Sequence, residues 1–164
     1  WYSQIHGLPL LIEKEIYLKD LNVRGYIDLA LIDTEGDDHI IYDIKTCNEW
    51  KWKGLFGRFG DGEPSTNYQL QLATYGLWAK RYYELENIRM KLCYYNKNTS
   101  MMREIDVPEE YIQEAYEYWN RVNLLVADKT LPEVDLGTSP VYKWECNEKY
   151  CQFYGVCGGG LNAK

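Results

Sequence analysis

Residues 25–46 read GYIDLALIDTEGDDHIIYDIKT. Two apolar, β-branched runs flank a polar Gly-Asp turn, the pattern of a β-hairpin. Asp28 interrupts the first run, and Asp43 and Lys45 interrupt the second, two positions apart. Side chains two apart on a strand share a face, so Asp43 and Lys45 point together and a neighbouring strand can bring Asp28 alongside. Two carboxylates and an ammonium set into apolar strands are costly unless they are paired or bound to a cation. The three residues are therefore read as a site. Hard oxygen ligands of this kind suit Mg²⁺ or Mn²⁺.

The chain of 164 residues is long enough to bury a core, and one domain over 1–164 is expected. It begins at Trp1 rather than Met, so the expectation is a fragment from which an N-terminal piece is missing. It has no apolar run of membrane-spanning length and no basic-then-apolar leader, which points to a cytoplasmic protein with no membrane contact. The net charge of −7 looks unsuited to a polyanion partner. Residues 104–135, however, hold nine acids against only Arg121 and Lys129, which is the whole excess. The remainder is balanced, and the acidic segment can face away from a nucleic acid.

Outward from the hairpin, residues 1–10 are broken by Gly7 and Pro9, and Leu11–Leu18 reads as a strand. Residues 47–67 carry Gly54, Gly57, Gly60, Gly62 and Pro64 and read as a long loop. In it Lys51, Lys53 and Arg58 interleave with Trp50, Trp52, Phe56 and Phe59. Cations for phosphates and aromatics for bases suit a single-strand channel, so Lys51, Trp52, Lys53 and Arg58 are candidate DNA contacts; the alternative is a loop that folds its aromatics onto the core. Tyr68–Glu86 has the apolar stripe of a helix. Arg89–Tyr95 and Met101–Val107 read as paired strands around a turn, and Pro108 opens a second long helix to about Asp128, with Glu109 and Glu110 in its first turn. Strands gathered beside helices predict an α/β (α+β) fold with a mixed sheet.

Gly25-Tyr26-Ile27-Asp28 and Asp43-Ile44-Lys45-Thr46, followed by Gln71-Leu72-Ala73-Thr74-Tyr75, resemble the G-x-x-D, D-x-K-T and Q-x-x-x-Y motifs of the PD-(D/E)XK nucleases in their RecB/AddB-like branch. The resemblance covers about Val23 to Cys157. It implies a restriction-endonuclease-like core, a central mixed sheet flanked by helices. It implies a Mg²⁺ or Mn²⁺ ion held by Asp28, Asp43 and the Ile44 carbonyl, with Lys45 beside the attacking water. Gln71 and Tyr75, one turn apart on a single helix face, would position the phosphate or end nucleotide. The family also places a His or Glu ligand on a helix before the first strand, so the resemblance implies that this N-terminal helix is lacking here; His6, Glu13 and Glu15 are the other candidates.

Five cysteines are present, and three crowd into the last twenty residues. Without a secretion signal such a cluster points to metal rather than disulfides. Cys146, Cys151 and Cys157 resemble the family's C-terminal cysteine ending, and 144–164 is read as a cysteine tail. A [4Fe–4S] cluster needs four thiolates, the fourth coming from the N-terminal region in the family; Zn²⁺ is the alternative. Cys47 and Cys93 read as buried, small apolar residues.

The function expected is a magnesium-dependent deoxyribonuclease, an exonuclease acting on linear or single-stranded DNA ends in phage or bacterial recombination and repair, as a homo-oligomer or within a larger recombination complex. A non-catalytic nucleic-acid-binding module with a metal-cluster staple is the competing reading. A third is a metal-cluster interaction protein in which the strand charges have no role.

Overall fold

A computed structural model describes residues 7–33, 39–60, 62–129, 148–152 and 154. The element order is β1 (Gly7–Leu18), β2 (Val23–Asp33), β3 (His39–Cys47), α1 (Glu49–Phe56), α2 (Thr66–Tyr83), β4 (Arg89–Asn96), β5 (Met102–Val107) and α3 (Tyr111–Ala127). The strands form one sheet in the order β1-β2-β3-β4-β5. Every neighbouring pair is antiparallel except β3 and β4, which are parallel. A parallel pair needs a long crossover, and α1 and α2 supply it. The mixed sheet with helices is the α/β architecture that the pattern of elements predicts.

The chain divides into two compact units, Trp1–Asn120 and Arg121–Lys164. The first holds all five strands, α1, α2 and residues 111–120 of α3. Of the second, the described part is the end of α3 and a short turn in which the Tyr154 N–H donates to the Cys151 carbonyl at 3.1 Å. Among the described residues no helix is long and apolar enough to cross a membrane.

Two positions depart from the sequence expectation. β1 begins at Gly7 rather than Leu11 and runs through Pro9. It is an edge strand, where a missing N–H is tolerated, and its register with β2 shifts between Pro9 and Leu11. The expected long loop over 47–67 instead contains α1. Asn48 caps that helix, its side chain accepting from the Lys51 N–H at 2.9 Å, and Glu49 sits in the first turn where the dipole favours an acid. Gly54 is accommodated within the helix, and Gly57 is its C-cap.

The main core lies on the face of the sheet under α2. Ile16, Ile27, Ile41, Leu92 and Tyr94 meet Leu72, Ala73 and Trp78, all buried. Small residues let α2 approach: a Cβ on Gly76 would stand 2.5 Å from Met90 Sδ and 3.2 Å from Ile112 Cδ1, so the helix is held between β4 and α3. On the opposite face Leu29, Leu31, Ile40, Tyr42 and Cys93 form a second, smaller buried cluster.

Strand β2 changes sides within its length. Ile27 and Ala30 both belong to the α2 side, whereas Leu29 and Leu31 belong to the other. Strict alternation cannot place Ile27 and Leu29 on different faces, so the phase breaks at Asp28. Across the ladder the pairs Ile12↔Leu29 and Lys14↔Ile27 bracket Glu13, whose φ of 47° is left-handed.

Candidate active site

Asp28 stands where β2 and β3 stop pairing. Their ladder runs from Ile32↔His39 to Leu29↔Tyr42 and goes no further. One step beyond, the Ile44 N–H donates to Asp28 Oδ2 at 2.6 Å, so a carboxylate replaces the next ladder bond. Asp43 lies in the same opened stretch, 2 % exposed. Its Oδ2 stands 2.6 Å from Lys45 Nζ, a short ion pair. Burial pushes the Asp43 carboxyl above its ordinary 3.8; Lys45 pulls it down, and the neighbouring Asp28 charge pushes it up again.

Lys45 is the hub. Besides its pair with Asp43, its ammonium donates to Gln71 Oε1 at 2.8 Å. The Gln71 amide then donates to the Tyr75 hydroxyl at 2.8 Å. Gln71 and Tyr75 are four residues apart on α2 and therefore share a face. Tyr75 is seated by a missing side chain: a Cβ on Gly25 would fall 2.8 Å from Tyr75 Cε1. The glycine at the head of the first quoted run thus makes room for the tyrosine fifty residues later.

Tyr68 extends this face by one turn, three residues before Gln71. Two ammoniums approach its ring, Lys45 Nζ at 4.6 Å and Lys51 Nζ at 4.5 Å from the centroid. Lys51 also donates to the Tyr68 hydroxyl at 3.3 Å. Two cations sharing one ring form a small positive site beside the carboxylates. Tyr68 carries no motif of its own; its only signal in the sequence is the i, i+3, i+7 spacing of Tyr68, Gln71 and Tyr75.

Asp28, Asp43, Ile44, Lys45, Gln71 and Tyr75 are thus brought together, with Lys51 close by through Tyr68. The other candidates taken from residues 47–67 are not. Trp52 is a core residue, 7 % exposed and packed at 4.7 Å against Phe56, so its ring has no free face for a base. Its spacing to Leu55 and Phe56, i, i+3 and i+4, was the signal of a buried helix face. Lys53 pairs with Glu49 at 3.4 Å on exposed α1, and Arg58 lies over the Phe59 ring. The exposed aromatics of this region are Trp50 (84 %) and Phe59 (93 %).

The residues present fit a divalent cation in part. A buried carboxylate set beside a second carboxylate, with burial and the neighbouring charge both opposing its ionised form, is the arrangement that a cation relieves. In a strand the N–H and C=O of one residue point to the same edge. The Ile44 carbonyl therefore shares the Asp28 side of β3. Among the described residues no group of three or more His, Cys, Asp or Glu side chains gathers. Mg²⁺, which keeps several waters and takes one or two carboxylates, does not require such a group. Of the upstream candidates, Glu15 is engaged by Arg24, Glu13 is exposed opposite Asp28, and His6 lies outside the described residues. Cys146 and Cys157 also lie outside them. Cys151 is half-buried and free, while Cys47 and Cys93 are buried as the sequence suggests.

No curated protein matches this sequence. Among solved structures, the chain is similar to the protein called SSO0001, with 22 % identity, a TM-score of 0.41 and coverage of 94 % of this chain and 60 % of that one. It is similar also to a protein of Eubacterium rectale named "Putative exonuclease", with 18 % identity, a TM-score of 0.47 and coverage of 76 % and 47 %. The chain therefore spans about half to three-fifths of the length of these two proteins. The sequence model of one family matches residues 4–158, nearly the whole chain, and places the protein within the PD-(D/E)XK nuclease superfamily.

Proposed function

We propose that the protein is a metal-dependent nuclease that hydrolyses phosphodiester bonds of DNA, acting as an exonuclease of the RecB/AddB-like branch. The observation that carries this reading is the buried Asp43 carboxylate, paired with Lys45 and facing Asp28 where the ladder has opened. Asp28, Asp43 and the Ile44 carbonyl would hold Mg²⁺ or Mn²⁺. Such an ion, when bound, polarises the phosphodiester and acidifies a water.

The side chains of this chain do the rest. An ammonium has three donors. Lys45 gives one to Gln71 and directs its charge at Asp43, which leaves donor capacity for the attacking water or a phosphate oxygen. Its charge stabilises the phosphorane-like transition state more than the ground state. Gln71 and Tyr75 hold Lys45 on station, and Lys51, at the same Tyr68 ring, offers a second cation to the strand backbone. Trp50 and Phe59, exposed next to Lys53 and Arg58, supply stacking surfaces for single-stranded DNA. The cysteines Cys146, Cys151 and Cys157 are proposed as ligands of a [4Fe–4S] cluster, or of zinc, from their crowding and their likeness to the family's cysteine ending.

The test is cleavage of labelled linear DNA with Mg²⁺ or Mn²⁺, lost with EDTA and lost in Asp43→Ala or Lys45→Ala. DNA binding with no cleavage under any divalent metal would replace this reading with a non-catalytic binding module.

A further inference from the structure

Gln71 and Tyr75 also line a feature to which Lys45 does not contribute. There, with Thr74 of α2, Tyr118 and Trp119 of α3, and Arg24 of β2, they border an open pocket of about 290 Å³. Its aromatic wall is fixed in advance. Trp119 Nε1 donates to Thr74 Oγ1 at 2.9 Å, and that hydroxyl donates to the Leu70 carbonyl at 2.7 Å. The indole is thus held in one orientation by a relay anchored in the α2 backbone. Tyr118 stands edge-on to it, centroids 5.1 Å apart at 79°.

Half-exposed aromatic faces with a rim of amide, phenol and guanidinium groups are the chemistry that takes a nucleobase: the π-face stacks and the base edges hydrogen-bond. The volume lies at the small end of ligand pockets, room for one nucleoside-sized group and not for a base pair. The pocket also communicates with the charged cluster through a single side chain. The Gln71 carbonyl accepts from Lys45 while its amide donates to Tyr75. A group seated in the pocket is therefore one residue away from the ammonium.

We propose that this pocket seats one unpaired nucleobase of the substrate strand, next to the phosphodiester that is cut. The proposal rests on the nuclease reading for its biological meaning, but its physical content is base binding, which can be measured without cleavage. In the full chain with EDTA present, the Trp119 indole N–H resonance, assigned by its loss in Trp119→Phe, is followed while dAMP is added. Saturable movement with dAMP, and none with ribose 5-phosphate, is the result expected. No movement, or equal movement with the base-free sugar phosphate, overturns the proposal.

A second arm uses cleavage. A single abasic residue is walked along a single-stranded oligonucleotide, and kcat/KM is read at each position. One position is expected to lower it about ten-fold. Trp119→Ala should erase that dependence, while Trp119→Phe, which keeps a π-face, should retain it. Tyr118→Ala, which leaves the Trp119–Thr74 relay intact, should weaken dAMP binding and guards against a Trp119→Ala variant that fails to fold. Cleavage that ignores every abasic position overturns the proposal and leaves the nuclease reading standing. Base-dependent resonance shifts in a chain that cuts nothing uphold the pocket and overturn the nuclease reading.

Discussion

The two halves of strand β3 differ by one neighbour. From Ile40 to Tyr42 the strand is paired on both sides, with β2 and with β4. From Asp43 onward only the parallel pairing to β4 continues, and the β2 side is met by a side chain, the Asp28 carboxylate on the Ile44 N–H. The first half is Ile, Ile and Tyr, all buried; the second carries Asp43 and Lys45. The charged groups are not forced into an intact sheet. They stand where the sheet has been opened, and the opening frees a backbone edge for them to use.

The largest effect should come from the open half. Asp43→Asn is expected to lower metal-dependent cleavage by about 10²–10³-fold or more, with a thermal midpoint in EDTA at or above that of the parent. A variant that unfolds instead would show that the carboxylate holds the strand and would erase the contrast. In the paired half the outcome should reverse. Ile41→Ala, at a buried position, is expected to cost about 2–5 kcal/mol in urea unfolding while the folded fraction keeps its kcat. Gly25→Ala joins the two halves. Its new methyl must displace the Tyr75 ring, at about 1–3 kcal/mol, and cleavage should fall as Gln71 loses its partner.

The pH dependence sharpens the contrast further. Burial raises the Asp43 carboxyl above 3.8, so the fold favours its neutral form. That stabilisation is complete below about pH 3.8 and is lost as pH climbs through the raised value. The thermal midpoint of Asp43→Asn minus that of the parent, both in EDTA, should therefore widen from pH 4 towards pH 7; a constant gap would contradict the burial cause. The smallest effect lies on the closed face directly beside the site. Cys93, paired in register with Ile44, has its thiol pushed up to about 11 by burial. In protein stripped of metal it should resist alkylation at pH 8 while the half-buried Cys151 reacts, as mass spectrometry of modified peptides would report.

The hairpin and its charged residues were legible because two-residue periodicity reports directly on strand faces. Three charges on apolar strands then had few bland explanations. Helix α1 was hidden because Gly54 lies inside its last turn and more glycines follow its end, while its capping signal, Asn48 followed by Glu49, is only two residues long. Trp52 and Trp50 look alike in composition, yet one is core and the other is exposed; only their phase on a helix separates them. The opening of the β2–β3 ladder could not be read at all. It depends on a phase break at Asp28 that arises from tertiary pairing, with a left-handed Glu13 across the ladder.

The phase of β3 has a consequence for folding fidelity. Eight pairings to β4 and the Asp28–Ile44 bond set its alignment. A slip by one residue would turn the strand over, driving Asp43 and Lys45 towards the apolar side chains of Leu29, Leu31 and Cys93 on the neighbouring strands. An ionised pair placed there without partners is penalised far more than a misplaced isoleucine. The charges therefore proofread the alignment of the strand that displays them, and selection for chemistry and selection against misassembly fall on the same three side chains.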